Sequence, residues 1–225
     1  MPDETLRGRP VLVFGASGAL GHGVTAAFAA AGASVIGIDK FEPHDDRKLP
    51  GVSYRTADVM DDADVAAVFA AGPVPWAVIN TVGGFAPSRP LAELDRAELV
   101  SQFNLNLLTA TLITKHALAA LQAAGQGRLV HTSSRAALIT RGSGFAYSVS
   151  KLGVLHLVSM AADEVRGTGV TVNCVVPSII DTPANRAALP DANHDAWPKI
   201  PDIAESYLYL AAPGSGLVNG AAIPV

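Results

Sequence analysis

Tyr147 and Lys151 open a segment whose apolar pattern predicts a helix over about 146–166, and a spacing of four puts both side chains on one helix face. A tyrosine exchanges protons poorly at neutral pH, because its reference pKa is about 10. A neighbouring ammonium favours the tyrosinate and lowers that value. Ser134 lies 13 residues before Tyr147, at the end of a strand expected over Arg128–Thr132, so its hydroxyl can reach an oxygen presented to the tyrosine. The three groups suit proton transfer to or from an oxygen on carbon. Tyr-xxx-Lys alone recurs by chance in helices, so its meaning depends on the surrounding elements.

The strand expected over Val11–Phe14 runs into Gly15-Ala16-Ser17-Gly18-Ala19-Leu20-Gly21, and a helix is expected over about 19–31. Such a turn lets backbone approach a pyrophosphate closely, while the helix N-terminus offers free N–H groups. Gly15, Ser17, Gly18, Ala19, Leu20 and Gly21 are therefore candidate contacts. Asp39 closes the second expected strand, Ser34–Ile38, 18 residues after Gly21. That is near the spacing at which a carboxylate meets the adenosine ribose hydroxyls of a dinucleotide. The same carboxylate would repel a 2′-phosphate, and Lys40 is the only cation nearby. NAD(H) is thus the expected cofactor, with NADP(H) left open. With hydride delivered by that cofactor, Tyr147 would give a carbonyl oxygen its proton, and the positive nicotinamide of the oxidised form would add to the lowering of its pKa.

The wider chain supplies a frame for these groups. Its 225 residues, 49% hydrophobic and 16% charged, exceed what a disordered chain would carry and suffice for one well-packed domain. A single cysteine excludes a disulfide framework and a multi-cysteine zinc site. A net charge of -4 speaks against a nucleic-acid surface. Further strands are expected over Val52–Thr56, Trp76–Asn80, Val170–Val176 and Ala221–Pro224, and further helices over about 62–71, 97–123 and 202–212. Alternating strands and helices predict an α/β fold with a parallel sheet. From Ser178 to Pro201 there are four prolines and no clear period, so 178–201 reads as a substrate-binding lid or loop. The nearly uncharged stretch Pro10–Ala33 is interrupted by Gly15, Gly18, Gly21 and Gly23 and follows Asp3 and Glu4, so neither a signal peptide nor a membrane span is expected, and a cytoplasmic location is.

Taken in order, Gly15-xxxxx-Gly21, Asp39, Asp58-Val59, Asn80-Thr81-Val82-Gly83, Asn106, Thr132-Ser133-Ser134, Tyr147-xxx-Lys151 and Pro177-Ser178-Ile179-Ile180-Asp181-Thr182-Pro183 resemble the short-chain dehydrogenase/reductase family over nearly the whole chain. The resemblance implies a single-domain Rossmann fold over residues 1–225, with a doubly wound seven-stranded parallel sheet and helices on both faces. It implies Ser134, Tyr147 and Lys151 as a catalytic triad, with Lys151 also holding the nicotinamide ribose. Asn106 would kink the long helix and hold a water in the proton relay. Asp58 and Val59 would meet adenine, and Asn80 would support the central sheet. Val82, Gly83, Pro177, Ile180 and Thr182 would complete the cofactor contacts. Five positions depart from the family pattern: Phe14 for Thr, Ala19 for Gly with Gly18 one residue earlier, Thr81-Val82 for Asn-Ala, and Ser178 for Gly. The run Asp181–Arg186, with Leu189–Ala192 and Trp197, is also similar to quinonoid dihydropteridine reductases. Ser134, which those enzymes lack, puts a carbonyl or hydroxyl substrate ahead of a pterin.

The candidate substrate contacts are Gly84, Phe85, Ser134, Tyr147 and Ser178, and the substrate is expected to be a small molecule. Arg135, Arg141 and Arg186 could meet an anion, although solvated surface is their plainer role. The six histidines show no ligand spacing, so no metal is expected, and Cys174 reads as a small core residue. The Ala-rich helices over 97–123 and 146–166 are more apolar than one core face requires, and the family resemblance makes them a homodimer or homotetramer interface. A non-catalytic dinucleotide sensor is disfavoured by the complete set of polar groups. A sugar epimerase is disfavoured because only 74 residues follow Lys151.

Overall fold

The computed structural model describes residues 4–139 and 144–225, so the Arg141 expectation lies outside the described residues. Seven parallel strands form one sheet: β1 (Pro10–Phe14), β2 (Ser34–Asp39), β3 (Ser53–Thr56), β4 (Ala77–Asn80), β5 (Gly127–Thr132), β6 (Val170–Val176) and β7 (Ala222–Pro224). Their spatial order is β3-β2-β1-β4-β5-β6-β7. β1, β4, β5 and β6 are buried almost throughout, which explains why their sequences are continuous apolar runs rather than alternating ones. The order reverses between β1 and β4. At that point loops diverge to opposite faces and leave a crevice at the strand C-termini.

The described residues form seven α-helices: α1 (Ala19–Ala30), α2 (Asp62–Ala70), α3 (Arg96–Gln102), α4 (Thr109–Ala123), α5 (Phe145–Glu164), α6 (Pro183–Ala188) and α7 (Ile200–Ala211). On one face α2, α4 and α5 pack Val65, Ile113, Ala117, Leu121 and Val158 against Leu12, Val78, Leu129 and Val172. On the other, α1 and α7 set Val24, Phe28, Ile203 and Tyr207 against Val11, Ile79 and Val130. The doubly wound architecture is therefore present. α5 is long and apolar enough to span a membrane by composition alone, but its buried residues include Ser150 and Lys151 and form part of this core.

Two expectations are refined. The helix expected over 97–123 runs from α3 to α4 through a π-helical turn, Phe103–Leu108, at the place where the family resemblance implied that Asn106 kinks it. No Gly or Pro marks it. Its buried residue is Asn106, whose amide bonds to a loop outside the helix, and such turns recur at functional sites. The segment 178–201 is not an unbroken loop. Thr182 accepts a hydrogen bond from the Asn185 N–H at 3.1 Å and Pro183 supplies the first helical position, which together start α6. Asp181 then pairs with Arg186 and with Lys199, at 2.5 and 2.6 Å, and closes the segment on itself.

Gly21 is required by space. A Cβ there would collide with the Gly15 carbonyl oxygen and come within 2.6 Å of Thr81 Oγ1. Gly214 has an ordinary φ and nothing within 4 Å of a Cβ. Gly21→Ala is expected to cost roughly 1–3 kcal/mol in urea denaturation, whereas Gly214→Ala should be neutral or stabilising by up to about 1 kcal/mol.

Candidate active site

The C-terminal ends of β1, β4, β5 and β6 converge on a cleft of about 160 Å³. Leu20, Gly83, Gly84, Ser134, Tyr147, Lys151, Pro177, Ser178 and Ile180 all line it, as the sequence led one to expect. Thr81, Thr132 and Ser133 line it as well. A larger hollow of about 450 Å³ lies between β3 and α2, where Arg55 donates to the Val68 and Ala71 carbonyls; Tyr147 and Lys151 do not reach it.

The glycine turn is built as a cradle. Gly15 has φ +83, and a Cβ on it would approach Thr81 Oγ1 to 2.8 Å. Gly18 needs no such freedom: its backbone is extended, and its N–H donates to the Gly15 carbonyl. Gly18 and Ala19 face solvent, which shows why a shifted glycine is tolerated. Ser17 donates its N–H to Asp39 Oδ2 at 2.9 Å, while its buried Oγ has no partner. A buried hydroxyl without a partner is costly, so this one fits a ligand oxygen at the N-terminus of α1. The residues present therefore fit a dinucleotide.

Asp39 also accepts from the Lys40 N–H at 2.7 Å, and its oxygens retain lone pairs for hydroxyls. Lys40 itself turns away: its ammonium pairs with Asp58 at 2.8 Å. That hydrogen bond, followed by one from the Met60 N–H, holds the Asp58 carboxyl below the usual range. Val59 packs against the core beside it. Asp39, Asp58 and Val59 lie at the ends of β2 and β3, apart from the cleft that Tyr147 lines.

Behind the cleft runs a buried polar chain that sequence reasoning missed. Val82 N–H donates to Asn80 Oδ1 at 3.0 Å, and Asn80 Nδ2 faces His131 Nδ1 at 3.1 Å. His131 Nε2 lies 2.9 Å from Thr114 Oγ1, which donates to the Ala110 carbonyl. Those partners assign the imidazole proton to Nε2. Burial, with the Lys151 charge second, pushes the His131 pKa down to about 3, so the ring is neutral. A histidine inside an apolar strand beside a buried Asn was the available signal.

Asn106 holds the other side of the Val82–Gly84 strip. Its Oδ1 accepts from Gly84 N–H at 3.0 Å, and its Nδ2 donates to the Gly84 carbonyl at 3.2 Å and to Gln102. Oδ1 keeps one lone pair for a water. Gly83 has φ +150, and a Cβ there would stand 2.6 Å from Lys151 Nζ and 2.7 Å from Asn106 Oδ1. Its missing side chain lets these two groups approach the strip.

Lys151 is 4% exposed and donates to the Thr132 carbonyl at 3.0 Å; among the described residues it has no carboxylate partner. Burial pushes its pKa down to about 8. Ser133 Oγ donates to the Lys151 carbonyl and fixes α5 against β5. Ser134 caps the following turn, accepting from Ala136 N–H at 3.2 Å. The Tyr147 pKa is raised in the protein alone, because burial outweighs the lowering by the Ser134 hydroxyl; the lowering expected from the sequence includes the positive charge of an oxidised nicotinamide. The Phe85 ring meets Tyr147 edge-to-face, with centroids 5.2 Å apart.

The remaining candidates serve the frame. Pro177 is buried and its carbonyl accepts from Arg135 N–H. Thr182 caps α6 two residues after the cleft residue Ile180, while Asn185 donates to the Ile180 carbonyl at 2.8 Å. Arg186 is tied to Asp181 rather than free for an anion, and Arg135 is exposed. Trp197 packs on His194, so the run from Asp181 to Trp197 is engaged in folding its own segment.

Fold and cleft together define a Rossmann-type α/β protein. The chain belongs to the short-chain dehydrogenase family: residues 9–193 match the sequence pattern described as short chain dehydrogenase. It is 31% identical over 242 residues to the cis-4-hydroxycyclohexanecarboxylate dehydrogenase of Sinomonas cyclohexanicum, covering 99% of this chain and 96% of that protein. It is 29% identical to the L-xylulose reductase of Cavia porcellus, covering 99% and 97%. A short-chain type dehydrogenase/reductase from Mycobacterium ulcerans has the same fold, with a TM-score of 0.88, 27% identity, and 98% and 89% of the two chains covered. The protein is an oxidoreductase of this family, whose members bind NAD(H) or NADP(H).

The buried ammonium has a stability consequence. Folding lowers the Lys151 pKa from 10.5 to about 8, so the charged form costs about 3 kcal/mol below that range. The unfolded chain then binds more protons between about pH 8 and 10.5, and this group makes stability rise with pH across that window. Lys151→Met removes the cost but leaves the Thr132 carbonyl unpaired, worth about 1–2 kcal/mol. A net gain of about 1–2 kcal/mol at pH 7, with a flattened rise above pH 8, is expected in urea denaturation.

Proposed function

We propose that this chain binds NAD(H) in preference to NADP(H) and interconverts a carbonyl compound and its secondary alcohol, with Tyr147 as the general acid and base. The observation that carries this reading is that Ser134, Tyr147 and Lys151 line one cleft, beside a glycine cradle holding an unpartnered Ser17 hydroxyl. The nicotinamide supplies the hydride in reduction and takes it in oxidation. In reduction, Ser134 holds the substrate oxygen and Tyr147 donates its proton to it. Lys151 would steady the tyrosinate so formed, would hold the nicotinamide ribose, and would pass on a replacement proton from a water bound at the free lone pair of Asn106 Oδ1. The raised Tyr147 pKa keeps the proton available for donation, and the reverse reaction needs the positive charges around it to oppose burial.

Asp39 receives the adenosine ribose hydroxyls, and Asp58 and Val59 flank the adenine. Lys40 is engaged by Asp58, so a 2′-phosphate would meet the Asp39 carboxylate without a free cation beside it. Val82, Gly83, Pro177, Ile180 and Thr182 frame the nicotinamide end. The segment 178–201 forms the substrate-binding side of the cleft. Ser134 supports a carbonyl oxygen over a quinonoid pterin as the reaction partner. Leu108 on the π-turn and Leu152 and Met160 on α5 stay exposed, which supports self-association to a homodimer or homotetramer. A cytoplasmic location belongs to the same reading. The two curated relatives act on a ring alcohol and an open-chain sugar by name, and so leave the substrate open.

Tyr147→Phe is expected to lower kcat for NADH-dependent ketone reduction by about 10²–10⁴-fold, with NADH affinity retained within about tenfold. Retained turnover would contradict the assignment of Tyr147. Wild-type protein should bind NADH at least tenfold more tightly than NADPH, about 1.4 kcal/mol, and Asp39→Ala should narrow that ratio in a fluorescence titration. Tighter binding of NADPH by the wild type would contradict the cofactor preference.

A further inference from the structure

The segments leaving the C-terminal ends of β4, β5 and β6 supply residues that line the cleft with Tyr147, and several of their other side chains are large, apolar and exposed. Phe85, after β4, is 61% exposed with its ring edge on Tyr147. Leu138 and Ile139 follow the short turn that Ser134 caps, and Phe145 opens α5 two residues before Tyr147. Ile179 sits between the cleft residues Ser178 and Ile180. Each keeps more than a third of its surface in solvent. Single exposed apolar residues need no explanation, but five on the three segments that also supply the cleft lining do. The place of Phe85 is also reserved by its neighbour: Gly144 has φ +148, and a Cβ there would reach within 3.0 Å of the ring.

The polar side of the cleft is sparse. Thr81 donates its hydroxyl to the Phe14 carbonyl at 2.8 Å, Thr132 to Asn80 at 2.7 Å and Ser133 to Lys151 at 2.8 Å. Among the described cleft residues this leaves the hydroxyls of Ser134, Tyr147 and Ser178 for a substrate. Among the described lining side chains these three can hold one carbonyl oxygen. A polyhydroxy ketone placed here would bring more hydroxyls than the described lining has free side-chain hydroxyls, and each one left unpaired on burial weakens binding. A hydrocarbon ring would instead cover the apolar collar while presenting a single oxygen to Tyr147.

We infer that the substrate is a hydrophobic, ring-bearing ketone or secondary alcohol rather than a sugar or polyol, with Phe85, Leu138 and Ile179 seating the ring. Phe85 touches Tyr147 and Ile179 stands between two cleft residues, which commits this apolar surface to the substrate body. This rests on the carbonyl oxidoreductase reading above and adds the chemical class to it.

The test measures NADH-dependent kcat/KM for 4-tert-butylcyclohexanone and for D-erythrulose in the wild type, Phe85→Ser and Ile179→Ser. The wild type should favour the ring ketone by about 100-fold or more, and each variant should lower that ratio about tenfold through KM. Using the ratio separates seating of the ring from any general disturbance of Tyr147. Equal or better turnover of erythrulose by the wild type would overturn the substrate class and leave the carbonyl reading intact. An unchanged ratio in both variants would also overturn it, and a smaller species by light scattering would then mark the collar as a subunit contact. No turnover of either ketone by the wild type would overturn the carbonyl reading itself, and this inference with it.

Discussion

A lysine ammonium lies almost out of water with a backbone carbonyl as its one protein partner among the described residues. Placing a charge there is expensive, and the surrounding structure is arranged to allow it. Gly83 gives up its side chain so that Nζ can approach the strip after β4. Thr132, whose carbonyl receives the ammonium, is held in turn by the Asn80 carbonyl and by the hydroxyl of the buried Tyr207 on α7. Ser133 pins the Lys151 backbone from the same strand end. His131, directly below, stays neutral, so it adds no second positive charge. A purely structural core would have placed an apolar residue here. The retained charge is a property of the site, where it can act on the tyrosine one helical turn away.

Two independent parts of the fold must meet that lysine. The parallel sheet reverses its winding between β1 and β4, which brings the glycine cradle and the Val82–Gly84 strip to the same edge. The π-helical turn then brings Asn106 to the back of that strip, where one side-chain amide bonds both the N–H and the carbonyl of Gly84. A regular helix through 103–108 would rotate Asn106 away from this position. Strip, cradle and α5 thus depend on long-range contacts rather than on any single segment's propensity.

Much of this frame was legible beforehand. Each strand was expected within a residue of its ends, because buried parallel strands are continuous apolar runs bounded by glycine, proline and polar residues. The cleft residues Ser134, Tyr147 and Lys151 followed from their spacing and from the family resemblance, and the structure brings them together. Other features could not be read locally. The π-turn depends on a partner 22 residues away, so no helix-breaking residue announces it. α6 is six residues long among prolines, too short for a period to show, and its start depends on the Thr182 cap. The commitment of Lys40 to Asp58, 18 residues apart, is a tertiary contact between the ends of β2 and β3. Spacing reveals an ammonium one turn from Tyr147 but not the depth of burial, which raises the tyrosine pKa in the protein without the positive nicotinamide of an oxidised cofactor.

The central claim is that this cleft carries out hydride transfer between a dinucleotide and carbon. The most direct measurement is a single turnover with NADH deuterated at the transferring position of nicotinamide C4, offered a mixture of ring and open-chain ketones and followed by mass spectrometry. Deuterium appearing on the carbinol carbon of one product alcohol, and on one face only, is the expected result. Saturable NADH binding with no deuterium in any product would contradict the account.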